Sequence, residues 1–214
     1  MADKIKILFD SYHLYHLPQF EPLIDLLSMD KRFDIFHSTS NEIPIQEYEL
    51  CSSILSKKSG IFVEAKTEKI RQKKIKSLDL DFFICGWSRY DIDKYVTRKT
   101  IVGMIYHGIG IKPSYWLDNH KRLDIRFVEG EYRVQQLKQN KVETRLELTG
   151  FIKMDPIFQK GKIDIKNIRQ KYNLDSSKKT VLFAPTFYPS SVEPIGTRLG
   201  EYTKGFNVLI KPHL

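Results

Sequence analysis

The sequence predicts an α/β fold built on a Rossmann-like parallel sheet, and three observations carry that expectation. Short β-rich runs alternate with amphipathic stretches in a βαβα order, the pattern of parallel strands joined by crossover helices. Several runs are apolar almost throughout, as in Phe82-Phe83-Ile84-Cys85, which suits strands covered on both faces. Histidines, lysines and glycines gather just past the ends of these runs, where open parallel sheets bind their ligands.

The first run, Ile5 to Phe9, ends at Asp10 and is followed by His13 and His16, after which Pro18 precedes a helix over Gln19 to Ser28. A second strand, Phe33 to His37, leads through Pro44 to a helix over Gln46 to Ser56. The third, Gly60 to Val63, precedes a basic helix over Lys66 to Ser77. The fourth, Asp81 to Cys85, ends at Gly86, and the fifth, Thr100 to Tyr106, ends at His107 and Gly108. Ile125 to Val128 is followed by Glu129, Gly130 and a helix over Glu131 to Gln139; Arg145 to Leu148 is followed by Thr149 and Gly150. This series defines a first domain over residues 1–150.

After Gly150 the pattern restarts with a helix over Asp164 to Tyr172, a strand over Thr180 to Ala184, a Pro/Ser/Gly-rich loop from Pro185 to Gly200 and a strand over Phe206 to Ile210. Residues 151–214 are too few for a whole doubly wound lobe, so they are expected to be the start of a second Rossmann-like lobe, cut short.

Composition narrows the functional classes. With 41% hydrophobic and 12% aromatic residues among 214, the chain can bury a core and is not a disordered or low-complexity polymer. Its longest apolar-leaning stretch, Ile101 to Ile111, is interrupted by Tyr106 and His107 and falls far short of the roughly 20 residues a membrane span needs. The N-terminus runs straight into a strand with no export signal, so the expected location is the cytoplasm. Cys51 and Cys85 are too few and too far apart for a disulfide framework or a zinc site, and read as buried thiols.

The net charge is +9, and Lys57 to Lys76 holds eight basic against two acidic residues, so six of the nine charges sit in twenty positions. This stretch reads either as a solvated helix face or as a surface attracted to anionic lipid or a polyanionic substrate, which would place the protein peripherally at the inner face of the cell membrane. It lacks interleaved aromatics for base stacking, and the chain carries no nucleic-acid-binding signature, so no nucleic-acid partner is expected.

The segment Tyr106-His107-Gly108-Ile109-Gly110-Ile111-Lys112 has two readings. In one, His107 simply ends a strand with a hydrogen bond, and the glycines turn the chain. In the other, His107 is a general base, Gly108 and Gly110 let the backbone approach a phosphate, and Lys112 neutralises it. The segment is neither a Walker loop nor the dinucleotide fingerprint, because Pro113 stands where that pattern needs its last glycine. His13 and His16, beside Asp10, are better suited to a surface or substrate-contacting role than to a metal, and no metal or cofactor is expected. Of the two Asp-x-Asp triplets, Asp79-Leu80-Asp81 lies at the amino end of a strand and reads as a turn, while Asp91-Ile92-Asp93 is open either way.

Taken in order, four segments resemble the CDP-glycerol glycerophosphotransferase family, the enzymes that build or prime teichoic-acid-like polyol phosphate chains. His107-Gly108-Ile109-Gly110-Ile111-Lys112 is similar to the family's His-Gly-Thr-Pro-Leu-Lys. Gly150-Phe151-Ile152-Lys153-Met154-Asp155 resembles Gly-Tyr-Pro-Arg-Asn-Asp, and Val181 to Phe187 resembles an apolar strand ending in Ala-Pro-Thr-Trp. Leu209-Ile210-Lys211-Pro212-His213 matches an apolar strand followed by a basic residue, a spacer and His. Departures are Tyr188 where Arg often follows Ala-Pro-Thr-Trp, and Ile109 and Gly110 for the Thr and Pro of the first motif.

The resemblance implies a GT-B arrangement of two Rossmann-like lobes, with the acceptor mainly on the first and the CDP donor mainly on the second. It implies transfer of a polyol phosphate from a CDP-activated donor to a hydroxyl of a polyol phosphate or lipid-linked glycan acceptor, with release of CMP. His107 and His213 are then the catalytic candidates. Gly108, Lys112, Lys153, Asp155, Thr186, Lys211 and His13 are the substrate-binding ones. The competing readings are another GT-B enzyme acting on a nucleotide sugar, a glycosyltransferase or an epimerase, and a truncated lobe that binds without catalysing.

Overall fold

The computed structural model describes residues 3–110, 112–159, 164–185 and 189–212. The chain divides into two compact units, Met1–Phe158 and Gln159–Leu214. The first is built on β1 (Ile5–Asp10), β2 (Phe33–Ser38), β3 (Ile61–Phe62), β4 (Phe82–Cys85), β5 (Ile101–Ile105), β6 (Ile125–Val128) and β7 (Arg145–Leu148). They form one sheet in the order β3-β2-β1-β4-β5-β6-β7, with every pairing parallel. The Rossmann-like class expected from the sequence is therefore the one observed. The chain begins at the sheet's middle, winds outward through β2 and β3, and returns to β1's other side to lay down β4. That reversal leaves a crevice beyond the carboxyl ends of β1 and β4, where Asp10 pairs with Cys85.

Helices cover both faces: α1 (Leu17–Ser28), α2 (Ile45–Leu55), α3 (Glu68–Ser77), α4 (Ser114–Leu117), α5 (Glu131–Gln139) and α6 (Asp155–Phe158). Alternate residues of one strand point to opposite faces. Ile7 and Phe9 accordingly bury with Phe20 and Ile24 of α1 and Leu55 of α2. Leu8 instead joins Phe83, Val102 and Val128 under Ile75 of α3 and Leu137 of α5. Each such side chain contributes about 1.5–3 kcal/mol on burial, which is why the strands are apolar on both sides.

Two helix boundaries shift for local reasons. α1 starts at Leu17, ahead of the expected Gln19, because Pro18 sits in the first turn, where a missing N–H costs nothing. α3 starts at Glu68 because Thr67 caps it, its hydroxyl accepting from the Ile70 N–H at 3.3 Å. Within α3 the lysines are exposed but Arg71 is fully buried, so the basic stretch is not a uniformly solvated face. Asp79 adopts a left-handed turn, and Asp81 accepts from the Lys6 N–H at 2.8 Å, which makes the first Asp-x-Asp triplet turn chemistry. In the other triplet, Asp93 pairs with Arg122 at 3.1 Å. Cys51 and Cys85 are buried free thiols.

A 3-10 turn, Ile152–Met154, and α6 stay with the first unit, where Ile152 packs against the apolar cluster containing Leu23 and Leu27 of α1. The second unit contains α7 (Ile165–Lys171), capped by Asp164, then β8 (Thr180–Phe183), α8 (Val192–Ile195), α9 (Leu199–Tyr202) and β9 (Asn207–Ile210). β8 and β9 pair in parallel. The stretch expected to be a loop up to Gly200 instead holds α8, a 3-10 turn over Gly196–Arg198 and the start of α9. Glu193 accepts from the Ser190 N–H at 3.1 Å and closes the first turn of α8, where Pro194 is tolerated for the same reason as Pro18.

Candidate functional site

Two clusters of polar side chains meet at the carboxyl edge of the first unit's sheet. Asp10, fully buried at the end of β1, accepts from Arg71 Nη1 at 2.6 Å and Ser38 Oγ at 2.7 Å on one oxygen, and from the Tyr90 hydroxyl at 2.6 Å on the other. Arg71 also donates to Glu68 through Nε at 2.8 Å and Nη2 at 2.5 Å. Glu68 accepts further from Ser40 Oγ, the Asn41 N–H and the Tyr95 hydroxyl. Burial alone would lift the Glu68 carboxyl, but the bonds and charge of Arg71 outweigh it and hold the group below the usual range. Burial likewise opposes the Arg71 charge, and Asp10 and Glu68 overcome it. The network ties the ends of β1 and β2 to α3 and to the segment after β4.

The second cluster lies alongside. The rings of His13, Tyr15, His16, Trp87, His107 and Tyr115 touch one another, with centroids 5.0 Å apart for His16 and His107, 5.4 Å for His16 and Trp87, and 5.8 Å for His107 and Tyr115. His107 Nδ1 lies 3.0 Å from the Gly86 carbonyl oxygen. A carbonyl only accepts, so Nδ1 carries the proton and Nε2 keeps its lone pair, with the Tyr115 hydroxyl 3.5 Å away. Burial pushes the His107 pKa below its ordinary value, the bond to Gly86 opposes that, and the charges of Arg89, Lys112 and Lys153 push it down again. Three cations from the segments after β4, β5 and β7 thus act on one neutral imidazole whose basic nitrogen is not spent on the protein's backbone.

The glycines have a different local reason from the one the sequence suggested. A Cβ at Gly108 would stand 2.8 Å from the Tyr115 hydroxyl, and one at Gly110 would stand 3.0 Å from the same ring. Tyr115 therefore occupies the space that close approach of a phosphate was expected to need. Arg133 of α5, almost fully buried, fastens this segment by donating to the Gly110 carbonyl at 2.9 Å while lying over Tyr115 and Trp116.

The other expected residues fall as follows. His13 is half-buried, its Nδ1 3.1 Å from Glu47 Oε1. His16 is not at the surface: it is fully buried, with its pKa held well below the ordinary value by burial and then by the neighbouring His107 and His13. Lys112, Lys153 and Asp155 are exposed in the first unit, Asp155 opening α6. Lys211 is exposed just after β9 in the second unit, while Thr186 and His213 lie outside the described residues. Among the described residues no group of three or more His, Cys, Asp or Glu side chains could hold a metal ion. No helix among them is long and apolar enough to cross a membrane.

Sequence reasoning missed Gln19, Trp87, Arg89 and Tyr115. Gln19 reads as an ordinary helix residue, yet it is buried and donates to the His107 carbonyl at 3.0 Å. Trp87 and Arg89 follow Gly86 at a strand end and could have been found by the same positional rule that picked out His107. An apolar cavity of about 310 Å³ lies under α1, lined by Leu23, Leu27, Phe82, Ile105 and Phe127 among others, and none of the imidazoles lines it.

Comparison with solved structures shows the same fold in the UDP-GlcNAc 2-epimerase from Neisseria meningitidis bound to UDP-GlcNAc, at 14% identity and a TM-score of 0.65, over 99% of this chain and 66% of that one. S. aureus MnaA in a co-structure with UDP aligns at 15% identity and a TM-score of 0.58, over 99% of this chain and 63% of that one. The chain therefore spans a little under two thirds of the length of these relatives. A search of curated proteins finds no match. Residues 116–209 match the family model described as CDP-Glycerol:Poly(glycerophosphate) glycerophosphotransferase; this span holds Lys153 and Asp155, starts after His107 and Lys112, and ends before Lys211. Over residues 116–209, which hold two of the four motifs, those at 150–155 and 181–187, the chain is similar to the CDP-glycerol glycerophosphotransferase family, in agreement with the resemblance read from the motifs.

Proposed function

We propose that the protein serves transfer of a polyol phosphate, glycerol phosphate in the first instance, from a CDP-activated donor to an acceptor hydroxyl in the synthesis of a cell-surface polymer. The observation that carries this reading is the state of His107: neutral, oriented through Nδ1 by the Gly86 carbonyl, with Nε2 keeping its lone pair beside the Tyr115 hydroxyl at 3.5 Å and cations nearby. The acceptor oxygen attacks the phosphorus that bears the polyol, the bond from that phosphorus to the CMP oxygen breaks, and the hydroxyl proton passes to His107 Nε2. Such transfer needs in-line positioning and charge cancellation more than covalent help. A positioned general base adds about 10²–10⁴ in rate.

The cations do two things. Arg89, Lys112 and Lys153 supply positive charge for phosphate oxygens, and a bound phosphate cancels their effect on His107. The imidazole then becomes a stronger base when substrate is present than when the site is empty. In this proposal Lys211 and His213 stabilise the pyrophosphate and the departing CMP, Thr186 holds phosphate oxygens, Lys153 and Asp155 are by the resemblance a phosphate contact and a positioning residue, and His13 and Gly108 contact substrate. The exposed lysines of α3 support a peripheral contact with anionic lipid, which charge reversal between Lys66 and Lys76 would weaken in vesicle binding.

The test is CMP release from CDP-glycerol by the protein and by His107→Ala. Loss of release in a folded variant supports the reading, and wild-type turnover removes His107 from the chemistry. The fold shared with UDP-GlcNAc 2-epimerases favours a second reading, an enzyme acting on a nucleotide sugar. A substrate panel of CDP-polyols against UDP-sugars separates the two.

A further inference from the structure

His107 is clasped from behind by a segment far away in sequence. Gln19, in the first turns of α1, is fully buried and donates through Nε2 to the His107 backbone carbonyl at 3.0 Å. His16, in the 3-10 turn just before α1, is also fully buried and lies against Gly86 so closely that a Cβ there would stand 2.7 Å from the His16 Cγ. Gly86 is the residue whose carbonyl fixes the proton on His107 Nδ1. The His16 and His107 rings are themselves in contact, 5.0 Å between centroids. One short segment therefore fixes the backbone of His107 directly and its ring through Gly86.

The arrangement carries a cost that packing alone does not require. His16 Nε2 and Gln19 Oε1 are buried with no hydrogen-bond partner among the described residues. Unpartnered buried polar atoms destabilise a fold, and an apolar side chain of similar size would fill either position without that penalty.

We propose that His16 and Gln19 are positioning residues for His107, holding its ring in the one tautomer and direction that leave Nε2 as the lone-pair nitrogen, facing the Tyr115 hydroxyl. Their catalytic meaning rests on the reading of His107 given above, but the positioning itself is a property of the protein without substrate. Neither residue touches the reacting atoms; each acts through His107.

The experiment is long-range ¹H–¹⁵N spectroscopy of the full chain with ¹⁵N-labelled histidine, which reads the tautomer of each neutral imidazole. The wild-type protein is expected to show His107 as the Nδ1–H form alone. Gln19→Met, near in shape but unable to donate, and His16→Ala, which removes the ring from against Gly86, are each expected to lose that single-tautomer signature and give a mixture. A folded variant of either kind that keeps the pure Nδ1–H signature overturns the assignment for the residue changed. If His16→Ala fails to fold, Gln19→Met decides the proposal alone.

With CDP-glycerol as substrate, the same variants should lower kcat by about tenfold to a hundredfold, the scale of a small misplacement of a catalytic group, while leaving KM for the donor unchanged. The two readings fail separately. Retained turnover in His107→Ala removes the chemistry and leaves the tautomer result standing, whereas an unmoved tautomer removes the positioning and leaves His107 as base.

Discussion

The Asp10–Arg71–Glu68 network and the His16–Trp87–His107 cluster sit side by side beyond the ends of β1, β4 and β5, and both bury polar side chains, but they satisfy them differently. Asp10, Ser38, Arg71 and Glu68 leave no buried polar atom without a partner, and the charges are matched by opposite charges at hydrogen-bond distance. In the neighbouring cluster, His16 Nε2 and Trp87 Nε1 have no partner among the described residues, and although Glu47 reaches His13, the charges acting on His107, those of Arg89, Lys112 and Lys153, are all of one sign. A closed network of that kind braces a fold. The open one leaves buried polar groups unmatched at a cost in stability, and this contrast is the reason the proposed chemistry is assigned to His107 and not to the equally conspicuous buried Arg71.

The comparison breaks most readily at Arg71. Replacing it with Leu leaves Asp10 and Glu68 buried without their partner and should cost about 3–5 kcal/mol in urea unfolding, because removing one member of a buried ion pair strands the others. His107→Ala should cost about 1 kcal/mol or less, since the side chain is only partly buried and gives up one backbone hydrogen bond. If the two costs came out equal, the division into brace and site would fail.

A smaller effect is expected at Gly86. Gly86→Ala puts a methyl group into the His16 ring and should cost about 1–3 kcal/mol by overpacking. Adding His16→Ala should recover part of that loss, giving a non-additive double-mutant cycle in the same unfolding assay. Additive costs would show that Gly86 is needed for some other reason than room for His16.

Much of this was legible in the sequence. The central strands of the first sheet follow from short apolar runs, because both their faces are covered, whereas the edge strand β7 alternates as Arg145-Leu146-Glu147-Leu148; His107 follows from its place just after one of the central runs. The buried arginines were not legible. Arg71 sits in the most basic stretch of the chain, where composition points to solvent, and only tertiary contact with Asp10, sixty-one positions away, takes it inside. Gln19 and His16 were hidden for a related reason: their partners, Gly86 and His107, come from other strands, and no local pattern announces a contact across the sheet. The glycines of the His107 segment were legible as a close approach, but whether a ligand or Tyr115 fills the space is decided by packing.

The two clusters should also part in their response to acid. His16 and His107 have folded-state pKa values below the ordinary 6.5, held there first by burial, and buried His37 on β2 shares the direction. Below about pH 6.5 the unfolded chain takes up protons that the folded chain refuses, so their contribution is complete above that pH and is lost as pH falls towards the folded values. Glu68 is displaced in the same direction from a lower starting point, so its contribution is complete above about pH 4.5 and is lost only as pH falls through its depressed folded value. Urea midpoints should therefore fall in two stages, one below about pH 6.5 and a second below about pH 4.5. His16→Phe should shrink the first stage, to which His107 and His37 still contribute, and leave the second, while Glu68→Gln should shrink the second and leave the first. A variant at His16 that left the first stage unchanged would mean that the imidazole is not held below its ordinary pKa in the folded protein, which its burial beside two other imidazoles opposes.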